Sequence, residues 1–249
     1  MTAPSEIRIV NDAAELFKAA ADEFAMLAAQ AVHRKGSFSV ALSGGSTPKR
    51  LYTLLASKDG PTVPWSQVSF FFGDERFVPP EHPDSNFRMV NETLLSKLPA
   101  PPENIFRVCT EEASAEVAAL QYESVVKDHL ALGSDGIPRF DLILLGLGPD
   151  GHTASLFPGT AALEERKLLV IANWVEKLKA YRVTFTYPVI NQAACVMFLV
   201  SGKEKAEIVR EVFENPKAEL PAQRVRPVRG QLLWLIDQAA ASLLSGERI

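Results

Sequence analysis

Cysteine is scarce in this chain: only Cys109 and Cys195 occur among 249 residues, and they form no CxxC pairing. That excludes a disulfide framework and a cysteine-rich zinc site, and it fits a reducing compartment. Long apolar runs are also missing, with nothing near the roughly 18 residues a membrane span requires. Glu6, Arg8 and Asp12 come before any apolar stretch, unlike a secretory signal. A cytoplasmic protein with no membrane contact is therefore expected. Charge of one sign is not in excess either. Lys and Arg number 26 against 30 Asp and Glu, a net −4, so a broad nucleic-acid surface is not expected, although a local basic pocket for a small anion is compatible. The one notable basic cluster, Arg224, Arg226 and Arg229, reads as a solvated loop. Repeats, low-complexity tracts and an obvious interdomain linker are absent too. What remains is an ordinary globular mix, 47% hydrophobic and 22% charged. A chain of this length buries roughly 75% of its unfolded surface without staples, and a single domain over 1–249 is expected.

Short apolar runs, turns and amphipathic stretches follow one another. Strands are predicted over 7–10, 38–42, 68–72, 141–145, 168–172, 182–186 and 195–200. Helices are predicted over 13–32 with Asp12 as cap, and over 49–56, 86–98, 113–132, 203–213 and 231–244. Strands alternating with helices argue a doubly wound, three-layer α/β/α fold with a mostly parallel central sheet. Ligands of such sheets bind beyond the carboxyl ends of the strands, so the strand-to-helix turns are where chemistry is sought.

Four turns stand out. Ser43-Gly44-Gly45-Ser46-Thr47-Pro48 places Thr47 where an N-cap belongs and Pro48 at the first helical position. Its free N–H groups suit a phosphate, and a capped turn without ligand is the plainer alternative. It is not a Walker A sequence, because no Gly-Lys-Ser/Thr follows. Gly73-Asp74-Glu75-Arg76 ends an apolar strand with three charges, fit either for acid/base and anion contacts or for a solvated, internally paired loop. Gly146, Gly148 and Gly151 have GxGxxG spacing, but Pro158 comes too early for a long first helix and the next strand ends at Asn173 rather than an acid, which argues against a dinucleotide. In the fourth turn, Ser201 and Glu204 have capping-box spacing. Lys203 puts a cation in a first helical turn, where a bound anion would offset the dipole. Arg182, at the head of a predicted strand, is either a further anion contact or solvated.

His152 is the most informative single residue. It follows Asp150-Gly151 at the ligand edge, whereas His33 and His129 fall in predicted helices and read as structural. An imidazole is a workable general base at neutral pH, and Asp150 is a candidate to orient it. No second histidine or acid lies at metal-ligand spacing. No GxSxG elbow exists, so a serine triad is disfavoured and an activated water is the better expectation. Pro79, Pro80 and Pro83, with His82, form either a lid or a rigid wall.

Together these segments resemble the 6-phosphogluconolactonase family, a relative of the glucosamine-6-phosphate isomerases/deaminases. The resemblance rests on Ala41 to Pro48, Gly73 to Pro80 with Ser85-Asn86, Gly146 to Gly159, Arg182 to Thr186 with Pro188 and Asn191, and Gly202-Lys203. Pro221-Ala222, Gly230, Trp234 and Asp237 match more loosely. Where deaminases typically read Ile-Ala-Phe-Asn-Glu-Pro after the histidine, this chain reads Thr153-Ala154-Ser155-Leu156-Phe157-Pro158, without the ring-opening glutamate, and Arg76 replaces a tyrosine. The lactonase branch is favoured.

The resemblance implies hydrolysis of 6-phospho-D-glucono-1,5-lactone to 6-phosphogluconate, an oxidative pentose phosphate step. It implies no metal or organic cofactor and no obligatory protein partner. On that footing His152 is the expected base and Arg76 the oxyanion stabiliser. Asp74 would hold Arg76 or a substrate hydroxyl. Ser43, Gly44, Gly45, Ser46, Thr47, Arg182 and Lys203 are the expected phosphate contacts. The alternatives are a deaminase or isomerase on the same scaffold, and a sugar-phosphate sensing domain without turnover.

Overall fold

The computed structural model describes residues 5–133 and 135–245. Its centre is a six-stranded sheet made of β1 (Ser5–Val10), β2 (Phe38–Leu42), β3 (Val68–Phe72), β5 (Leu142–Leu145), β8 (Cys195–Val200) and β9 (Gln231–Asp237). The order across the sheet is β1-β9-β8-β5-β2-β3, and every pairing is parallel. A second, three-stranded antiparallel sheet has β7 (Ala180–Phe185) between β4 (Asp74–Arg76) and β6 (Val170–Val175).

The central strands are nearly continuous apolar runs because both faces are covered. In β5, Leu142 and Leu144 face one core with Phe24, Leu51 and Val90, and Ile143 and Leu145 face the other with Tyr122, Val209 and Phe185. The first core is covered by α1 (Ala13–Lys35), α2 (Ser46–Leu55) and α3 (Asn86–Thr93). On the other side lie α4 (Ala115–His129), α6 (Ala206–Glu214) and the small sheet, with the single turn α5 (Tyr187–Ile190). The expected α/β/α layering is therefore observed. The parallel order also reverses at β2: β3 lies on one side of it and β5 on the other. A crevice opens at such a reversal, beyond the carboxyl ends of the two strands.

Local chemistry sets the helix ends. Asp12 caps α1 by accepting from Glu15 N, and Gly36 closes that helix at φ 79°. Ser85 and Ser114 cap α3 and α4 in the same way as Asp12. The edges of the sheet are managed differently. β1 carries Glu6 and Arg8, and Arg8 also reaches Glu23. The outer side of β3 is closed by the 105–106 segment and by Tyr122 of α4, whose hydroxyl accepts from Phe72 N at 2.7 Å and lies 3.2 Å from Phe106 O.

Three expectations are corrected. Residues 231–237 form β9 rather than the start of a helix over 231–244, because the run Leu232 to Ile236 is buried on both faces between β1 and β8. Periodicity cannot separate a short, fully apolar strand from a buried helix. Asp74–Arg76 is a strand rather than a loop, paired with β7 outside the main sheet. The helix predicted over 86–98 stops at Thr93, and Leu95–Lys97 is a separate turn.

Tyr122→Phe removes the hydroxyl partner of the buried Phe72 N–H and should cost about 1–3 kcal/mol. Denaturant unfolding checks it through a lower midpoint at unchanged slope.

Candidate active site

The crevice between the ends of β2 and β5 is a cleft of about 310 Å³. The Ser43 to Pro48 turn, Asp74 and Arg76 of β4, Asn86, the Gly146 to Ala154 loop, and Glu204 with Lys205 border it. Three of the four turns singled out in the sequence thus converge, and the fourth contributes a different lysine from the expected one.

The first turn arrives directly from β2. Helix α2 begins at Ser46, one residue before the expected Thr47 cap, and no side chain caps it. Its N-terminal amides are left for whatever enters the cleft. Ser43 Oγ, on a residue only 5% exposed, is a buried side-chain oxygen without a hydrogen-bond partner among the described residues. The Ser43 backbone is fixed by Tyr52, whose hydroxyl accepts from Ser43 N at 3.0 Å and donates to Ser43 O at 2.9 Å. Gly44 is glycine because of a close approach: a Cβ there would lie 1.8 Å from Asn86 Oδ1.

β4 divides its two acids between structure and cleft. Glu75 is 2% exposed and accepts from Arg76 N, Asn86 N and Phe87 N at 2.7–2.8 Å, with Ser85 Oγ at 3.2 Å. It therefore anchors the start of α3. Burial pushes its carboxyl up, and the amide bonds oppose this. Asp74 faces the cleft, accepting from Ser155 Oγ at 2.7 Å and Asn86 Nδ2 at 3.4 Å. Asp74 has no hydrogen bond to Arg76, against one expectation, because the Arg76 guanidinium donates to Asp84 O at 2.5 Å. The Pro-rich loop thereby sets the position of Arg76, and it is itself a chain of turns, His82 N to Pro79 O and Ser85 N to His82 O.

The glycine-rich loop carries the most constrained residue. His152 Nδ1 is hydrogen-bonded to Asp150 Oδ1, and its ring stacks on Phe157 with centroids 4.1 Å apart. A carboxylate at Nδ1 fixes the proton there and leaves Nε2, without a hydrogen-bond partner among the described residues, as the lone pair. Burial lowers the basicity of His152 and outweighs the Asp150 attraction, with the Lys177 charge lowering it further. Burial also resists charge on Asp150, but hydrogen bonds from Lys177 and His152 prevail and hold its carboxyl at about 2. Ala154, two residues after His152, has φ 47°, a strained conformation for a side chain with Cβ. The small sheet secures this stretch: Ser155 N donates to Thr184 Oγ1 and Asn173 Nδ2 donates to Ser155 O.

Asp150 lies behind His152 rather than in the cleft wall. Arg182 pairs in register with Arg76 across β4 and β7 but does not border the cleft. Burial, then the Arg76 charge, lowers its basicity. Lys203 is exposed outside the cleft, and Lys205 takes the cleft position with its Nζ 2.7 Å from Leu147 O. The capping box does not form, because Asp237 at the end of β9 takes the Ser201 hydroxyl at 2.5 Å and Gly202 N at 3.1 Å. Among the described residues, no group of three or more His, Cys, Asp or Glu side chains is placed to hold a metal ion. No helix among them is long and apolar enough to cross a membrane.

Comparison with known proteins gives this cleft a context. The model of the family described as glucosamine-6-phosphate isomerases/6-phosphogluconolactonase matches residues 11–234, and the chain belongs to that family. Among its relatives, a protein named 6-phosphogluconolactonase from a Nostoc species is 42% identical over 218 residues, covering 86% of this chain and 88% of that one. The rat 6-phosphogluconolactonase is 38% identical over 247 residues, 98% of this chain and 95% of the other. The crystal structure of 6-phosphogluconolactonase from Leishmania guyanensis superposes with a TM-score of 0.86 at 30% identity, covering 98% of this chain and all of that one.

Gly148 approaches the imidazole so closely that a Cβ would sit 1.9 Å from His152 Nδ1. Its φ is not in the left-handed region, so Gly148→Ala should keep the fold and swing the ring away from Asp150. The expected result is an unchanged circular dichroism spectrum with turnover reduced by about 10²-fold, as misplacement of a reacting group predicts.

Proposed function

We propose that this protein hydrolyses 6-phospho-D-glucono-1,5-lactone to 6-phosphogluconate, with His152 as general base. The carrying observation is that His152, held by Asp150, lines the same cleft as an uncapped helix start and a buried Ser43 hydroxyl without a partner among the described residues. One wall suits a base and the other a phosphate, as a phosphorylated lactone requires. The names of the relatives favour the same substrate.

In this reading Nε2 takes a proton from a water whose oxygen bonds to the lactone carbonyl carbon. Arg76 faces the oxyanion that develops on the carbonyl oxygen. Collapse breaks the bond from that carbon to the ring oxygen, and the imidazolium returns the proton to it. Asp150 stays ionised throughout. Asp74, held by Ser155 and Asn86, is available to a sugar hydroxyl. The amides and hydroxyls of Ser43 to Thr47 and the Lys205 ammonium hold the 6-phosphate, with Lys205 in place of Lys203. Arg182, outside the cleft lining but opposite Arg76, adds positive charge near it: like charges opposed across a strand pair repel unless an anion offsets them. This remote anchor holds the reacting carbon near the water.

The test is hydrolysis of fresh 6-phosphogluconolactone, coupled to 6-phosphogluconate dehydrogenase with chelator present. His152→Ala should lower kcat by about 10²–10⁴-fold after subtraction of spontaneous hydrolysis. Ammonia release from glucosamine 6-phosphate, without lactone turnover, would move the assignment to the deaminase branch, and binding without either reaction would indicate a sensor. Lys205→Ala should raise KM for the phosphorylated lactone and spare hydrolysis of unphosphorylated gluconolactone, with Lys203→Ala near wild type. Equal losses on both lactones would remove Lys205 from the phosphate. Because burial depresses His152, the base is neutral at pH 7 and is lost only as pH falls through a value below the ordinary 6.5. The acid limb of kcat/KM against pH should therefore lie below 6.5.

A further inference from the structure

The His152–Asp150 pair is held by a residue outside the cleft. β6 and β7 are joined by a tight turn, Glu176–Leu178, with Lys179 in the left-handed region at φ 46°. This turn brings Lys177 to the glycine-rich loop. Its Nζ donates to Asp150 Oδ2, and Oδ1 is the oxygen that takes the imidazole. The same ammonium lies 4.6 Å from the centroid of the Phe157 ring, on which His152 stacks. Lys177 therefore touches both groups that fix the orientation of the imidazole. Its side chain is half exposed, so water is a ready alternative to the two contacts it makes.

We propose that Lys177 is a positioning residue for lactone hydrolysis: it locks the Asp150 carboxylate and, by sharing that carboxylate with His152, keeps the imidazole in its proton-accepting form. The inference rests on the reading of His152 as base. Asp150 has two effects that conflict. It must receive the Nδ1 proton, yet an unshared carboxylate also stabilises the imidazolium, which is useless as a base. A cation on the second oxygen offsets that charge and leaves the hydrogen bond in place. Other charges face His152 as well: Asp74 from β4 favours the imidazolium, and Arg76, Glu204 and Lys205 border the same cleft. Only Asp150 among them is hydrogen-bonded to the ring, so the partner of Asp150 has the most direct influence. Cation–π contact with Phe157 adds an attraction of about 0.5–1 kcal/mol at an exposed site.

The experiment measures kcat/KM against pH for wild type, Lys177→Met and Lys177→Arg. Alongside it, NMR follows the His152 ring proton through pH, with the resonance assigned by its loss in His152→Gln. In Lys177→Met the acid limb and the NMR midpoint should both move to higher pH, with KM unchanged. Plateau kcat should fall by about 10-fold, less than for a lost base. Lys177→Arg should keep the wild-type midpoint. A Met variant whose limb and midpoint match wild type or move to lower pH overturns the proposal, as does an Arg variant that behaves like Met. If wild type does not turn over the lactone, the base assignment falls, and the NMR midpoint, which needs no substrate, still decides whether Lys177 sets the state of His152.

Discussion

The reversal of strand order at β2 is the constraint from which the site follows. Parallel strands covered on both faces leave little place for polar side chains along their length, and Ser39 within β2 is tied to Asp141, so polar function gathers at their ends. With β3 on one side of β2 and β5 on the other, the loops leaving β2 and β5 diverge and a space opens between them. One of those loops runs into an uncapped helix and the other into a tight glycine turn. The uncapped start of α2 and His152 are thereby brought to one cleft, their placement fixed by backbone topology rather than by mobile side chains.

The small antiparallel sheet supplies what the large one cannot. Alternation along β4 sends Asp74 and Arg76 to one side and Glu75 to the other, so three consecutive charges serve two purposes. Glu75 gathers the amides at the start of α3 and holds Asn86 in place. Asn86 then meets both Gly44 and Asp74. β6 and β7 support the histidine loop through Asn173 and Thr184 and deliver Lys177 from their turn. The second sheet acts as a brace that stiffens loops the first sheet only positions.

Much of this was legible in the sequence, and the reasons for success and failure are physical. Apolar runs such as 38–42 and 68–72, each followed by glycine and polar residues, marked strand ends, and three of those ends carry the cleft. The Asp-Gly-His run singled out His152 because a histidine in a glycine turn at a strand end is not accounted for by helix or strand packing, and the structure places it on the cleft. Lys205 was missed in favour of Lys203 because the choice depended on where a helix starts, and a short turn at Lys203–Lys205 delays that start. Lys177 gave no signal at all: a lysine in a polar turn looks solvated, and its partner is 27 residues away. β9 was read as a helix because local pattern is silent about which strands flank a buried apolar run. Two strands of the small sheet were legible, 168–172 and 182–186, but β4 and the separate antiparallel pairing were not, since β4 pairs with a strand more than a hundred positions further on.

The place of β9 also bears on how the molecule is made. β9 is the last of the described strands in the chain, yet it lies between β8 and β1, pairing Met197 and Ile7 with its own Leu233 and Trp234. β1, which precedes β9 by more than two hundred residues, has no neighbour in the sheet until β9 arrives. From the completion of β8 (Cys195–Val200) until β9 (Gln231–Asp237) is made, the edge of β8 is therefore bare and apolar, a state in which unpaired strands attract other chains. The charges of β1 guard the finished edge, but the nascent one has no such guard. For this fold the vulnerable interval lies between the making of β8 and of β9, and the closing strand is inserted rather than appended.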